Sequence, residues 1–483
     1  MKFSKKQTAA YGIGAVGKDM VYALSSGYVM YYYQDVLGID AAFIGLILLI
    51  ARIFDAANDP FMGIIVAKTK SRWGKFRPWI FSGTILNAFV LYALFSASHF
   101  TGTGLKVFFA VIYILWGVTY TMMDIPFWSI IPAVTHEPKD RETMSVVGRT
   151  CAGVGNALIT IFAMPVVQAI GGGNTAVAEI KGFSVLALIV AVLFAIFETI
   201  TVVALKEEKT ESEELKEQEN DAANMHVKDM FKALFHNDQA LVVVICIILI
   251  NTALYITSNL LIYFFKYDVS GSNWAANQSL FNAVGGAGQI LGMMAIYPLL
   301  RKKLSNHSIF KLCLALEIIG YALILTACYT GLSTNMIVIC ICGLFVFVSN
   351  GILTVLTTVY LSASVDYGEL KTGKREESVI FSMQTFVVKA ASGFAVFLAG
   401  VGLDLIHFTG SSSTSESAKI VKQSASTITG LRLLMTIIPI ILLIIAMFVF
   451  RNKFKMTDQK IEEMNEELKV KHGENQDAAE LEH

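Results

Sequence analysis

Long apolar stretches broken by short turn-rich or charged segments recur along the whole chain. They predict helices near 8–34, 39–68, 78–99, 105–133, 142–171, 177–205, 235–266, 273–300, 307–330, 333–364, 377–408 and 425–451. Crossing the hydrocarbon core takes about 20 residues, so each stretch is long enough to span a membrane. The longest polar break in mid-chain runs from Lys206 to about Lys228 and contains Glu-Glu-Lys-Thr-Glu-Ser-Glu-Glu-Leu-Lys-Glu. It leaves six spans on either side. The pattern predicts an all-α membrane protein with twelve transmembrane helices in two six-helix bundles. The first bundle covers 1–205, a cytoplasmic linker 206–230, the second bundle 231–452 and a tail 453–483.

Lysine and arginine set the expected orientation. Alternate loops are rich in them: Lys68, Lys70, Arg72, Lys75 and Arg77; Lys139 and Arg141; Arg301, Lys302 and Lys303; Lys371, Lys374 and Arg375. The loops between are poor in both, which places the basic loops and both termini in the cytoplasm. Ile461, Met464 and Leu468 recur at spacings of three and four, so the tail reads either as a short amphipathic helix or as a solvated segment.

Composition sharpens this picture. Of 483 residues, 55% are hydrophobic and 16% charged, against about 25% charged in a soluble globular protein. That excludes an ordinary cytosolic enzyme and a nucleic-acid binder. The six cysteines lie in apolar runs without C-x-x-C spacing or a neighbouring His, and read as small buried hydrophobes. No cofactor motif is visible. Gly12-Ile13-Gly14-Ala15-Val16-Gly17 spells a dinucleotide fingerprint, but that motif works only between a strand and a helix. Inside an apolar span, small residues instead let helices approach closely. The polar start of the chain leads into the first span without a cleavage signal, as a retained helix would.

Ionisable groups inside spans carry the chemistry, because each is expensive in hydrocarbon unless it faces a partner or a polar cavity. In the second span Arg52, Asp55, Asn58 and Asp59 fall within two helical turns. Asp55 and Asp59, four apart, share a helix face with Cβ atoms about 5–6 Å apart. Their repulsion is relieved by a bound cation, and carboxylate, amide and hydroxyl oxygens suit a hard one such as Na⁺, or a proton. In the fourth span Thr121, Asp124 and Trp128 form one stripe. A carboxylate to accept from sugar hydroxyls and an indole to stack on an apolar sugar face suit a sugar ligand. Lys18 and Asp19 lie in the first span, Arg149 in the fifth, and Gln384, Thr385 and Lys389 in the eleventh. Asp19, Asp55, Asp59 and Asp124 balance Lys18, Arg52, Arg149 and Lys389, which favours a neutral substrate with a small cation.

At these residues the sequence resembles the glycoside–pentoside–hexuronide:cation symporters of the major facilitator type, above all those that carry melibiose. The similarity is strongest in Tyr11–Asp19, Ala51–Gly63, Ser71–Trp79 and Tyr113–Pro132, and returns in Val365–Glu369 and Gln384–Lys389. The resemblance implies symport of a galactoside such as melibiose with Na⁺, Li⁺ or H⁺ by alternating access, in a bacterial cytoplasmic membrane. It implies a cation site at Asp55, Asn58, Asp59 and Thr121. It also implies sugar contacts from Lys18, Asp19, Asp124, Trp128 and Arg149 in the first half, with Gln384, Thr385, Val388 and Lys389 in the second, and gate contacts at Arg141 and Arg375. Thr354 stands where the melibiose carriers have tryptophan, which leaves the identity of the sugar open. The competing readings are a proton-coupled or exchange carrier for another glycoside, pentoside or glucuronide, an intramembrane enzyme, and a sensor without flux. The last two require a nucleophile–base pair or a large soluble domain, and neither is visible.

Overall fold

The computed structural model describes residues 5–135, 138–205, 207, 234–269, 273–372, 377–410, 422–464 and 466–468. Among these residues there is no strand. Backbone amides in an apolar run can be satisfied only within their own helix, so each apolar stretch folds as one. The helices are α1 (Lys5–Tyr31), α2 (Ala41–Ala67), α3 (Arg77–Leu94), α4 (Gly102–Val134), α5 (Pro138–Gly171) and α6 (Ala176–Ala204). They are followed by α7 (Asp238–Tyr263), α8 (Trp274–Leu291), α9 (Asn306–Tyr329), α10 (Met336–Thr372), α11 (Glu377–Leu405) and α12 (Ala425–Lys453). Each expected span falls on one of these helices. Among the described residues nine helices, α4 to α12, are long and apolar enough to cross a membrane; α1 and α2 carry in-span charges. Most of the expected 206–230 linker lies outside the described residues.

Contacts divide the chain into two compact units. The first gathers residues 1–224, 258–283 and 396–431; the second gathers 225–257, 284–395 and 432–483. In the first unit α1 lies against α5 and α6, and the glycines of the false dinucleotide motif make that approach possible. A Cβ added at Gly12 would sit 2.9 Å from Cys151 Sγ, and one at Gly17 would sit 3.3 Å from Phe194 Cα. On the opposing helix, a Cβ at Gly155 would meet the Val16 carbonyl oxygen at 2.2 Å. The packing reading of the motif is therefore correct. Asn87 of α3 donates to Trp116 O at 3.0 Å and Thr119 Oγ1 at 2.9 Å, fastening α3 to α4. Carboxylates cap two helix starts, where free amides favour anions. Asp404 accepts from the Ala41 and Ala42 amides, and Glu207 from those of Lys75, Phe76 and Arg77.

In the second unit α9 packs on α10, and buried rings of Phe310, Tyr360, Phe450 and Phe454 stack together. The tail is a helix over 458–464, with Met464 and Leu468 buried, so of its two expected forms the seated amphipathic helix is the one observed. Asp458 holds it, pairing with Arg301 at 2.7 Å and accepting from the Asn306 amide.

Candidate functional site

Helices α2 and α4 bring Asp55, Asp59 and Thr121 of the expected cation ligands close together in the first unit. Thr121 of α4 donates to Asp59 Oδ1 at 3.2 Å. Asp55, one turn earlier on α2, is buried and pairs with Arg52 at 3.7 Å. Gly117 of α4 makes room for it, since a Cβ there would stand 2.4 Å from Asp55 Oδ1. Asn58 and Asp59 are half-buried on the same helix. The donor set of two carboxylates, an amide and a hydroxyl is the hard-oxygen set a monovalent ion takes, and one arginine stands beside the pair of acids.

One turn further along α4, Asp124 enters a second cluster with α1. Lys18 Nζ lies 2.8 Å from Asp124 Oδ1 and 2.9 Å from Asp19 Oδ2. The lysine side chain is 4% exposed, while Asp19 and Asp124 keep 20% and 24% of their surface open, so the acids are what a ligand could reach. Trp128 has Lys18 Nζ at 4.9 Å and Arg149 Cζ at 4.5 Å over its ring. The expected stacking of sugar on this indole therefore competes with two cation–π contacts. An aromatic path joins the two clusters: Arg52 lies over Tyr22 at 5.4 Å, Tyr22 meets Tyr120 at 5.6 Å, and Lys18 lies over Tyr120 at 5.9 Å.

Gln384, Val388 and Lys389 lie on α11 in the second unit, each half-buried. Thr354, also of that unit, is exposed and turns its hydroxyl onto the Asn350 carbonyl at 2.9 Å. Arg375 lies outside the described residues, as do the side chains of Arg141 and Thr385.

The charge pattern along the sequence overlooked buried groups that the structure makes prominent. Lys266, beyond the end of α7, donates to Asp35 Oδ2 at 2.7 Å and lies 3.4 Å from Glu179 Oε2. Tyr31 donates to Glu179 at 2.6 Å and accepts from Lys266, while Tyr267 donates to Asp35. Asp35 and Lys266 both sit on π-helical turns, Tyr32–Val36 and Phe264–Val269, a distortion frequent at functional positions. Glu198 of α6 and Glu317 of α9 have no exposed surface at all. The criterion that flagged Asp55, an ionisable group inside a span, applies equally to these two glutamates.

The sequence model of the family described as MFS/sugar transport protein matches residues 10–458. The chain is 30% identical to the isoprimeverose transporter of Lactiplantibacillus pentosus, over 85% of this chain and 82% of that protein. It is 26% identical to a lactose permease of Leuconostoc lactis, over 97% of this chain and 72% of the relative. It is 27% identical to the raffinose carrier protein of Pediococcus pentosaceus, over 95% and 70%. Among solved structures it shares its fold with the xylose transporter XylE from E. coli in a partially occluded inward-open conformation, with TM-score 0.59 at 13% identity, covering 94% of this chain and 98% of that one. The nucleoside transporter NupG matches with TM-score 0.60 at 14% identity, over 92% and 100%.

Proposed function

The chain belongs to the MFS/sugar transport protein family, and from that premise we propose that this membrane sugar symporter couples a glycoside to a monovalent cation by alternating access. Na⁺ is the leading cation, with Li⁺ and H⁺ as substitutes, and a galactoside such as melibiose is the leading sugar. The membrane is the bacterial cytoplasmic membrane, with both termini inside. Asp55, Asn58, Asp59 and Thr121 take the cation. Lys18, Asp19, Asp124, Trp128 and Arg149, with Gln384, Thr385, Val388 and Lys389 from α11, take the sugar, and Arg141 and Arg375 gate the cytoplasmic side.

One observation carries this reading: the Thr121–Asp59 contact lies one turn of α4 from the Asp124–Lys18–Asp19 cluster. A cation held by Asp59 and Thr121 fixes the rotation of α4 and thereby the position of Asp124. Sugar hydroxyls then donate to Asp124 and Asp19. Linkage requires the sugar to tighten the cation by the same factor, typically about 1–3 kcal/mol. The test is titration of sugar affinity with and without Na⁺ in the parent and in Asp59→Cys. The Na⁺ enhancement is expected to vanish in the variant; equal enhancement in both removes Asp59 from the site.

A second reading is a proton-coupled carrier of another glycoside or pentoside. It is favoured by the 30% identity to an isoprimeverose transporter and by Thr354, whose hydroxyl is committed to its own helix and offers no stacking surface. A competition panel of α- and β-galactosides, isoprimeverose, pentosides and glucuronides, run with and without Na⁺, separates the two. Preference for isoprimeverose without Na⁺ enhancement establishes the second.

A further inference from the structure

Glu198 lies in the last two turns of α6 with no exposed surface, and neither of its carboxyl oxygens has a hydrogen-bond partner among the described residues. It faces α1 where Gly14 leaves space; a Cβ there would come within 3.2 Å of Glu198 Oε2. The titratable and charged groups around it are Tyr11, Lys18 and Asp19 of α1 and Tyr120 and Asp124 of α4. Several nearby donors are already committed. Thr201 Oγ1 donates to Ala10 O at 2.9 Å, Tyr11 OH to Phe127 O at 3.1 Å and Lys18 Nζ to Asp124 at 2.8 Å, while Lys18 also pairs with Asp19 at 2.9 Å. Among the described residues, the Lys18 ammonium thus pairs with Asp19 and Asp124 and lies within electrostatic range of Glu198. A carboxylate left without a donor in such an interior costs several kcal/mol, whereas a neutral acid costs far less.

We propose that Glu198 is a proton-binding site of the transporter, separate from the Asp55/Asp59 pair and read out through Lys18; the inference rests on the symport reading above. With the proton on Glu198, Lys18 stays between Asp19 and Asp124 and holds the two acids in place for sugar. After sugar leaves, the Glu198 O–H bond breaks, the proton passes to water, and the ammonium of Lys18 turns to the new carboxylate. Asp19 and Asp124 are then no longer held, so the deprotonated carrier binds sugar weakly. Sugar and proton are therefore bound together and released on the same side.

The test uses the full chain in liposomes in Na⁺-free buffer, with a trapped pH dye and isoprimeverose, melibiose and lactose as probes. The parent is expected to move protons inward with whichever probe it accepts. Glu198→Gln, a near-isosteric copy of the protonated acid, is expected to keep sugar-for-sugar exchange while its sugar-driven pH change falls by about tenfold or more, the scale of an ordinary coupling free energy. Sugar affinity is expected to fall with rising pH in the parent and to stay flat in the variant. Glu198→Asp, which retains an acid, is expected to keep the pH change.

An undiminished pH change in Glu198→Gln overturns the proposal. Loss of exchange in both variants also overturns it, since that marks a packing role. Exchange without proton movement in the parent overturns it while leaving Na⁺ symport standing. A parent that takes up none of the probes in this buffer overturns it too; uptake restored by added Na⁺ leaves the symport reading standing, and none with Na⁺ removes that reading for these sugars. The Na⁺ enhancement assigned to Asp59 is expected to survive in Glu198→Gln.

Discussion

The Lys266 cluster is a fully enclosed charge assembly in the first unit, and its arithmetic predicts an order of damage that only this geometry gives. Lys266 is 1% exposed in its side chain and both acids 0%. Replacing Lys266 with Met removes the cation between them and leaves Asp35 and Glu179 buried together, a loss of about 3–5 kcal/mol for breaking a buried pair from one side. Asp35→Asn deletes the 2.7 Å ion pair but leaves Lys266 facing Glu179 at 3.4 Å, one charge against one. Its cost is one charge-assisted hydrogen bond, about 1.5–3 kcal/mol, reduced by the relief of acid–acid repulsion. Glu179→Gln keeps an acceptor for the Tyr31 hydroxyl and leaves Lys266 with Asp35, so it should fall within about 1 kcal/mol of the parent. Unfolding midpoints of the purified protein in mixed detergent micelles rank the three. The expected order of destabilisation is Lys266→Met, then Asp35→Asn, then Glu179→Gln, with partial recovery when all three changes are combined. A Lys266→Met protein as stable as the parent, or a Glu179→Gln protein as damaged as Lys266→Met, refutes the reasoning.

Gly117→Ala places a Cβ 2.4 Å from Asp55 Oδ1, the far end of a side chain that can move, so the protein is expected to fold but to lose most of its Na⁺ enhancement of sugar binding in a ligand titration. Gly155→Ala instead meets a backbone oxygen, Val16 O, at 2.2 Å, and α1 and α5 must separate; a loss of about 1–3 kcal/mol in the same unfolding assay is expected for such overpacking. Glu207→Gln removes the charge that caps three amides at the start of α3 and should lower stability by about 0.5–1 kcal/mol, an effect that shrinks with added salt.

The helices were legible because apolar runs leave the backbone no alternative partner. Their ends were less so. The expected span 333–364 continues as α10 to Thr372 because its polar last turns are tied down, with Tyr367 and Lys371 bonding to Asp238 at 3.1 and 2.7 Å. Among site residues, Asp55 with Asp59 and Thr121 with Asp124 were legible from spacing within a helix plus the expense of charge in hydrocarbon; the cross-helix contacts of Asp59 with Thr121 and of Lys18 with Asp124 were not, and those residues were grouped only by the resemblance. Lys266 was not. It stands at the last position of an expected span, where a lysine reads as an interfacial anchor, and only the π-helical turn it occupies and the approach of that turn to α1 and α6 bury it. Glu198 carried a sequence signal, an acid inside a span, but stood alone there, and its neighbours come from α1 and α4. The count of in-span charges that balanced four acids against four bases was therefore incomplete.

With the buried groups included, the first unit repeats one theme, a base close to acids. Arg52 has Asp55 beside it and Asp59 one turn on; Lys18 sits between Asp19 and Asp124; Lys266 sits between Asp35 and Glu179. In each, the acids named outnumber the base among the described residues, and what surrounds them bears on their use. Around Lys266 the tyrosine hydroxyls of residues 31 and 267 donate to the two acids and the side chains are sealed, so the excess is spread over fixed hydrogen bonds and the cluster acts as a clasp. Around Lys18 the acids keep a fifth or more of their surface open, which suits a ligand rich in hydroxyl donors. Around Arg52 the second acid has a threonine hydroxyl donor from the facing helix and lies half-buried, which suits a small ion that comes and goes. In the reading proposed above, similar electrostatic units would thus serve as fastener, sugar receptor and cation site according to what the packing sets around them. Adding a donor should move one toward another: Gly117→Ser, with a hydroxyl placed against Asp55, is expected to weaken Na⁺ enhancement while leaving Na⁺-free sugar affinity unchanged. An equal loss of both in the titration would show that the Asp55 and Asp124 clusters do not act as separate units.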